Sequence, residues 1–180
     1  MKIVKADEDG LAVAAKALNA GLVAVIPTDT VYGLAARPDF PEAVARLYTI
    51  KGREEAKPVA LLAADAAAAR GFIGLAAARF ASAHWPGALT VVARGEGVRV
   101  PDHEWTRRLI GACGGALRVT SANLSGCREA TDVASALADV ALSADIVVDG
   151  GASPGGVPST VVRFGEDGRF EILREGAVKL

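Results

Sequence analysis

Cysteine and histidine are nearly absent from this 180-residue sequence, each occurring twice. Cys113 and Cys127 stand far apart and outside any CxxC spacing, which excludes a disulfide scaffold and a cysteine-based zinc site. His84 and His103 have no HExxH or paired spacing, so a histidine metal site has no support either. Aromatic residues make up only 5% of the chain, too few to interleave with basic residues as a base-stacking surface does. No excess of one charge is present: Lys plus Arg total 20 against Asp plus Glu 21, which excludes a globally basic nucleic-acid binder but not a local basic groove. Apolar runs are interrupted by Lys16 and Asn19, then by Asp65 and Arg70, before they reach membrane-spanning length. The N-terminus turns acidic by Asp7 and does not read as a signal peptide, so a cytoplasmic protein without membrane attachment is expected. No GxxxxGK[ST] phosphate loop, no GxGxxG fingerprint after a strand, no GxSxG elbow on a strand-to-helix turn and no His beside a candidate nucleophile is read; the GxSxG string at Gly151 to Gly155 lies inside a Gly-rich stretch.

What is present is a chain half of whose residues are apolar, enough for one sizeable core and one domain over 1–180. Helical spacing covers residues 10–20 with Gly21 as C-terminal cap, 41–50 with Pro41 in its first turn, 65–83, 103–113 and 131–141. Short apolar runs predict strands at 22–26, 58–63, 89–93, 98–100, 116–120, 146–148 and 159–164. Glu166 to Arg169 then turns into a last strand over 170–173. Strands alternate with helices early and the C-terminal end is hairpin-like. The fold class expected is therefore α/β, a twisted mixed sheet with packed helices. The Gly-rich stretch 150–158 reads either as a mobile surface loop or as a lid over a ligand.

Four polar clusters fall at the ends of these strands, where open α/β sheets place ligands. Pro27-Thr28-Asp29-Thr30-Val31-Tyr32-Gly33-Leu34 is an unusually polar loop, or a turn whose Thr and Asp side chains bond their own backbone. Lys51, Arg53 and Lys57 put three cations in seven residues, suited to a polyphosphate, although Glu54 and Glu55 also allow a solvated loop of mixed sign. Thr120-Ser121-Ala122-Asn123-Leu124-Ser125-Gly126, with Thr131-Asp132 opening the next helix, permits close backbone approach by a phosphate, or is an ordinary capped connection. Ser159-Thr160 and Arg174-Glu175-Gly176 complete the set, read alternatively as strand-edge hydroxyls and one exposed Arg.

Together these pieces resemble the YrdC/TsaC family of L-threonylcarbamoyladenylate synthases. The matching stretches are PTDTVYGL (27–34), KGR with KP (51–58), WPGALTVV (85–92), VRVPDH (98–103), TSANLSG (120–126), STVV (159–162) and ILREGA (172–177), in family order over nearly the whole chain. The resemblance implies a YrdC-like fold around a concave, positively charged cavity, in the short form without the C-terminal extra domain some members carry. It implies ATP bound by Arg53, Lys57, Asn123, Thr131 and Arg174. Lys51 would lie beside the phosphates, sharing the catalytic role with Arg53. It implies L-threonine near Thr30, Arg99, Ser121 and Ser159; a guanidinium fork at Arg99 suits the threonine carboxylate. Three departures stand out. Leu62 occupies a place where many members have His, Lys57 one where some have Asn, and Ala88 and Ala116 replace common prolines.

The reaction so implied joins threonine's amine to bicarbonate or CO2. The N-carboxylate then attacks the α-phosphorus of ATP and releases pyrophosphate, to serve threonylcarbamoyl-adenosine formation in tRNA. Magnesium would bridge the phosphates, held mostly by ATP and water, with Asp29 contacting it through water or serving only the turn. Downstream partners would be the tRNA threonylcarbamoyl-transferase proteins. Two other readings stay open. One is an RNA-binding protein that holds tRNA or double-stranded RNA in the basic cavity without chemistry of its own. The other is a carbamoyl-transfer module acting on a related adenylate.

Overall fold

The computed structural model describes residues 1–52 and 58–180. Its first helix, α1 (Glu8–Asn19), follows strand β1 (Lys2–Lys5) and starts where Asp7 accepts a hydrogen bond from the Gly10 N–H. Strands β2 (Ala24–Ile26) and β3 (Gly33–Ala36) precede α2 (Pro41–Lys51), which carries Pro in its first turn and ends on Gly52 at φ +59°. Next come β4 (Ala60–Ala63), α3 (Ala66–Ala81, capped by Asp65 and broken at Gly74), β5 (Leu89–Ala93) and β6 (Glu96–Arg99). They are followed by α4 (Glu104–Ala112), β7 (Ala116–Ser121), α5 (Val133–Asp139) and a 3-10 turn over Ala141–Ser143. Strands β8 (Ile146–Asp149), β9 (Thr160–Phe164) and β10 (Phe170–Arg174) close the chain.

All ten strands share one mixed sheet in the order β1-β8-β2-β3-β7-β4-β6-β5-β9-β10. The expected α/β class with a mixed sheet is therefore observed. Two strands were not read from the sequence. Strand β1 is a mostly exposed edge strand that lacks an apolar run. Strand β3 is Gly-Leu-Ala-Ala, poor in strand formers, yet it lies between β2 and β7 and is wholly buried. Central position overrides intrinsic preference there. A Cβ at Gly33 would come within 2.5 Å of Val119, so the close approach requires glycine. The last helix begins at Val133, not at Thr131, because Asp132 and Ser135 form a capping box and leave Thr131 outside it.

Strand periodicity assigns each face its cover. Ala24, Ile26, Ala35, Ile146 and Val148 join α1 and α4 in one core cluster; Val25, Leu34, Ala36 and Val147 turn the other way, toward α2 and α5. In the other half of the sheet, Leu61, Ala63, Leu89, Val91, Ala93, Val98 and Val162 pack on α3. The alternate residues of those four strands, Leu62, Thr90, Val92, Gly97, Arg99, Val161 and Arg163 among them, face away from α3 and line a cavity.

Candidate active site

That cavity has a volume of about 480 Å³, the size of a small-molecule site. Its floor is the face of β4, β6, β5 and β9 turned away from α3. Its walls include Thr28 with Thr30 to Gly33, Val119 to Ser121, Pro158-Ser159 and Leu173-Arg174. Of the residues the sequence singled out, Thr30, Arg99, Ser121, Ser159 and Arg174 all line it, from five separate parts of the chain. Lys51, Asn123 and Thr131 are not among the lining residues. Arg53 and Lys57, and with them the centre of the second polar cluster, lie outside the described residues.

Arg99, at the end of β6, is 5% exposed. Its Nε donates to the Gly87 carbonyl at 2.9 Å, Nη1 to Thr30 Oγ1 at 2.8 Å, and Nη2 to Asp29 Oδ1 at 2.5 Å. Burial lowers its pKa from the usual arginine value; the Asp29 charge and hydrogen bond oppose this, and Arg174 adds a smaller lowering. Guanidinium carries five N–H groups, so the fork keeps donors beyond these three contacts. Asp29 is thus the partly buried counter-ion of Arg99, a role the sequence did not suggest.

Hydroxyl hydrogens can be traced through the 27–32 segment because each Thr has only one. Thr28 Oγ1 donates to the Val31 carbonyl at 2.6 Å, so in its 3.1 Å contact with Thr30 the donor is Thr30. Thr30 also accepts from Arg99. Its hydrogen is spent, and toward a ligand it offers only a lone pair. The turn reading holds for Thr28, whose hydroxyl bonds the backbone of Thr30 and Val31, whereas the Asp29 side chain turns to Arg99.

Lys51, the last residue of α2, is 3% exposed. Its ammonium lies 2.8 Å from Ser121 O, 3.0 Å from Ser121 Oγ, 2.9 Å from Asn123 O and 3.1 Å from Asn123 Oδ1. It sits beneath the loop after β7 and clamps it, with the Ser125 N–H bonded to the Lys51 carbonyl at 2.9 Å. Because an ammonium only donates, Ser121 Oγ accepts from it and keeps its own hydrogen to offer elsewhere. Asn123 turns its amide nitrogen to the Leu124 and Cys127 carbonyls at 2.9 and 2.8 Å. Across the cavity, Ser159 Oγ is 2.8 Å from Thr90 Oγ1, and Arg174 Nη2 donates to the Ser159 carbonyl at 2.7 Å. Thr28, part of the first polar cluster, and Thr90, which was not singled out, are buried hydroxyls that also line this space.

The Gly-rich stretch 150–158 is stitched to the same wall. The Tyr32 hydroxyl donates to the Gly151 carbonyl at 2.7 Å and accepts from the Gly150 N–H at 3.0 Å. The Ser153 N–H reaches the Thr131 carbonyl at 2.7 Å, and the Gly156 N–H the Thr30 carbonyl at 2.8 Å. At Gly155 a Cβ would fall 2.6 Å from the Asp29 carbonyl oxygen, so this contact excludes a side chain. Leu62, in place of the expected His, is nearly buried and pairs in register with Arg99, presenting an apolar surface beside the guanidinium.

A family model described as Sua5_yciO_yrdC, Telomere recombination, matches residues 16–176. The Threonylcarbamoyl-AMP synthase of Bos taurus is 32% identical over 93% of this chain and 68% of its own length. That of Chromohalobacter salexigens is 35% identical over 81% of this chain and 90% of its own length. The crystal structure of P. abyssi Sua5 complexed with L-threonine superposes with a TM-score of 0.91 at 28% identity, covering 98% of this chain; the chain spans 58% of that protein. A match over nearly the whole chain, with the motifs in order and the fold in common, places the protein in the Sua5/YciO/YrdC family.

Proposed function

We propose that this chain makes L-threonylcarbamoyladenylate from L-threonine, bicarbonate or CO2 and ATP, releasing pyrophosphate, and that residues 1–180 act as one YrdC-like domain. The observation that carries the reading is the convergence of Thr30, Arg99, Ser121, Ser159 and Arg174 on one cavity of about 480 Å³, in a chain whose relatives are named threonylcarbamoyl-AMP synthase. Threonine occupies the Arg99 end, where guanidinium donors meet its carboxylate and the Thr30 lone pair accepts from a substrate N–H or O–H. The nucleotide lies toward Arg53, Lys57, Asn123, Thr131 and Arg174, with Lys51 acting through the loop it holds. Three arginines line the cavity (Arg99, Arg163, Arg174), the first paired with Asp29 and the second with Glu171.

In this reading the threonine amine, having lost a proton, bonds to the carbon of CO2 and gives an N-carboxylate. A carboxylate oxygen then attacks the α-phosphorus, the bond to the bridging oxygen breaks, and pyrophosphate departs with the electron pair. No protein nucleophile is required. The chain's contribution is to hold two anions together and offset their repulsion. Among the described residues no group of three or more His, Cys, Asp or Glu side chains could hold a metal ion. Magnesium is accordingly assigned to ATP as it arrives, as part of the substrate.

The product is a mixed anhydride, consumed by transferase proteins that pass the threonylcarbamoyl group to an adenosine of tRNA. A cytoplasmic location is proposed with it. Among the described residues no helix is long and apolar enough to cross a membrane. The test is pyrophosphate release by the purified protein, expected only when threonine, bicarbonate and ATP are all present. Release without threonine, or binding of RNA alone with neither small molecule bound, overturns the reading.

A further inference from the structure

The short connection between β6 and α4 grips the 27–31 turn twice. From one side Arg99 reaches Asp29 and Thr30. From the other, Thr106 in the first turn of α4 is fully buried and places its Oγ1 2.7 Å from the Pro27 carbonyl oxygen and 3.0 Å from His103 Nδ1. A carbonyl can only accept, so the single hydroxyl hydrogen goes to Pro27. The 3.0 Å His103 contact then runs from an Nδ1–H to Thr106 Oγ1 in the tautomer that carries its proton there. The Thr106 N–H also points at Nδ1, at 3.3 Å, but Nδ1 can accept it only without that proton, so this longer capping contact belongs to the other tautomer. An imidazole carrying its proton on Nδ1 therefore sets the direction in which the Thr106 hydroxyl points.

Pro27 has no N–H and a fixed φ, so its carbonyl is the handle by which the start of this turn is held. Beyond it, the Thr28-to-Val31 bond closes the turn and Asp29 and Thr30 are delivered to Arg99. We infer that Thr106, oriented by His103, is a positioning residue for the amino-acid end of the cavity, fixing Asp29 and Thr30 under the Arg99 guanidinium. The assignment of that end to an amino acid rests on the proposed function; the anchor itself rests on the hydrogen bonds.

Thr106→Val keeps the shape of the side chain and removes the donor. The expected result is a rise of roughly tenfold in KM for L-threonine with KM for ATP within about twofold, since a lost buried hydrogen bond acts on one end of the site. Thr106→Ser restores the wild-type value. His103→Ala reproduces the defect, and His103→Asn, which keeps a donor near the Nδ1 position, relieves it. Amide hydrogens over residues 28–32 exchange faster in Thr106→Val and at the wild-type rate in Thr106→Ser. Unchanged KM and unchanged exchange in a folded Thr106→Val protein overturn the inference. So does an equal rise in both KM values, or a Thr106→Ser protein as impaired as Thr106→Val. Where Thr106→Val does not fold, the His103 pair is read by the same measurements and decides. A wild-type protein that turns over no threonine defeats the synthase reading alone; the exchange rates then decide the anchor independently.

Discussion

Arg99 and Asp29 form an ion pair at 2.5 Å whose side chains are only 7% and 12% exposed, and both belong to the segments that build one end of the cavity. A pair this buried is dangerous to break from one side, because the surviving charge keeps its desolvation cost without a partner. Removing one member of a buried pair costs about 3–5 kcal/mol. Asp29→Ala is therefore expected to lose about that much unfolding free energy in urea, and threonine-dependent turnover with it. A loss below about 1 kcal/mol, the range of an exposed pair, would show that water reaches Arg99 and that the pair does not shape the site.

Lys51 and Arg53 belong to one motif but lead to opposite expectations. Lys51 lies within 3.1 Å of four oxygens on Ser121 and Asn123, more acceptors than its three N–H groups can serve singly. Lys51→Met leaves such acceptors unmet at about 1–3 kcal/mol each, so both stability and turnover should fall, stability by at least about 2 kcal/mol. Arg53, outside the described residues, is assigned to the nucleotide on its sequence position. Arg53→Ala should lose a charge-assisted contact of about 1.5–3 kcal/mol and lower ATP-dependent turnover at least roughly tenfold, with little change in melting temperature. A Lys51→Met protein as stable as wild type would remove the clamp.

The sequence disclosed the elements whose local signals agree with their place in the fold. Pro41 opens α2, Asp65 caps α3, and the run Leu89–Ala93 is a strand with the limits expected. It hid β3, because Gly33-Leu34-Ala35-Ala36 becomes a strand only through the partners β2 and β7 on either side. The same divide runs through the site. Thr30, Ser121, Ser159 and Arg174 were legible in polar clusters at strand ends, Arg99 only through the family resemblance, and all five line one cavity. Asp29 as counter-ion, Thr90 as partner of Ser159, and Thr106 as anchor of Pro27 depend on contacts between segments about 70 or more positions apart, for which one sequence carries no local mark.

His103 gives the pH dependence a definite sign. Burial holds its pKa below the ordinary histidine value of 6.5, while the nearby carboxylates of Asp29 and Asp102 pull the other way without cancelling it. The unfolded chain thus takes up this proton before the folded one does. Stability from this group is complete above 6.5 and is lost as pH falls through that value toward the folded pKa. Urea midpoints compared at about pH 7.5 and 5.5 should fall on acidification in the wild type and fall less in His103→Asn. An identical fall in both proteins would assign the loss to other groups. Protonation adds its hydrogen at Nε2 and leaves Nδ1–H in place, so KM for threonine should not follow this titration.

Amino-acid choice follows from what the cavity offers on each side. Leu62, Val92, Val119 and Val161 give it apolar surface, while Thr30 and Ser121 present a lone pair and a hydroxyl hydrogen. Threonine and serine differ by one methyl, and a methyl in an apolar pocket discriminates by only about 1–3 kcal/mol. Leu62, where His was expected, adds to the surface a methyl can touch, which favours threonine over serine on this side. The hydroxyl is read differently: if valine enters, a polar group arranged to bond it stays unpaired in a site with little water, a cost that compounds over each unmet partner. Threonine should be preferred, serine used weakly at roughly a tenth of the rate or less, and valine almost rejected. The measurement is pyrophosphate release with each amino acid at equal concentration and fixed bicarbonate. Valine turning over as well as threonine would mean that no group in the cavity reads the hydroxyl, and the placement of threonine beside Ser121 would have to be given up.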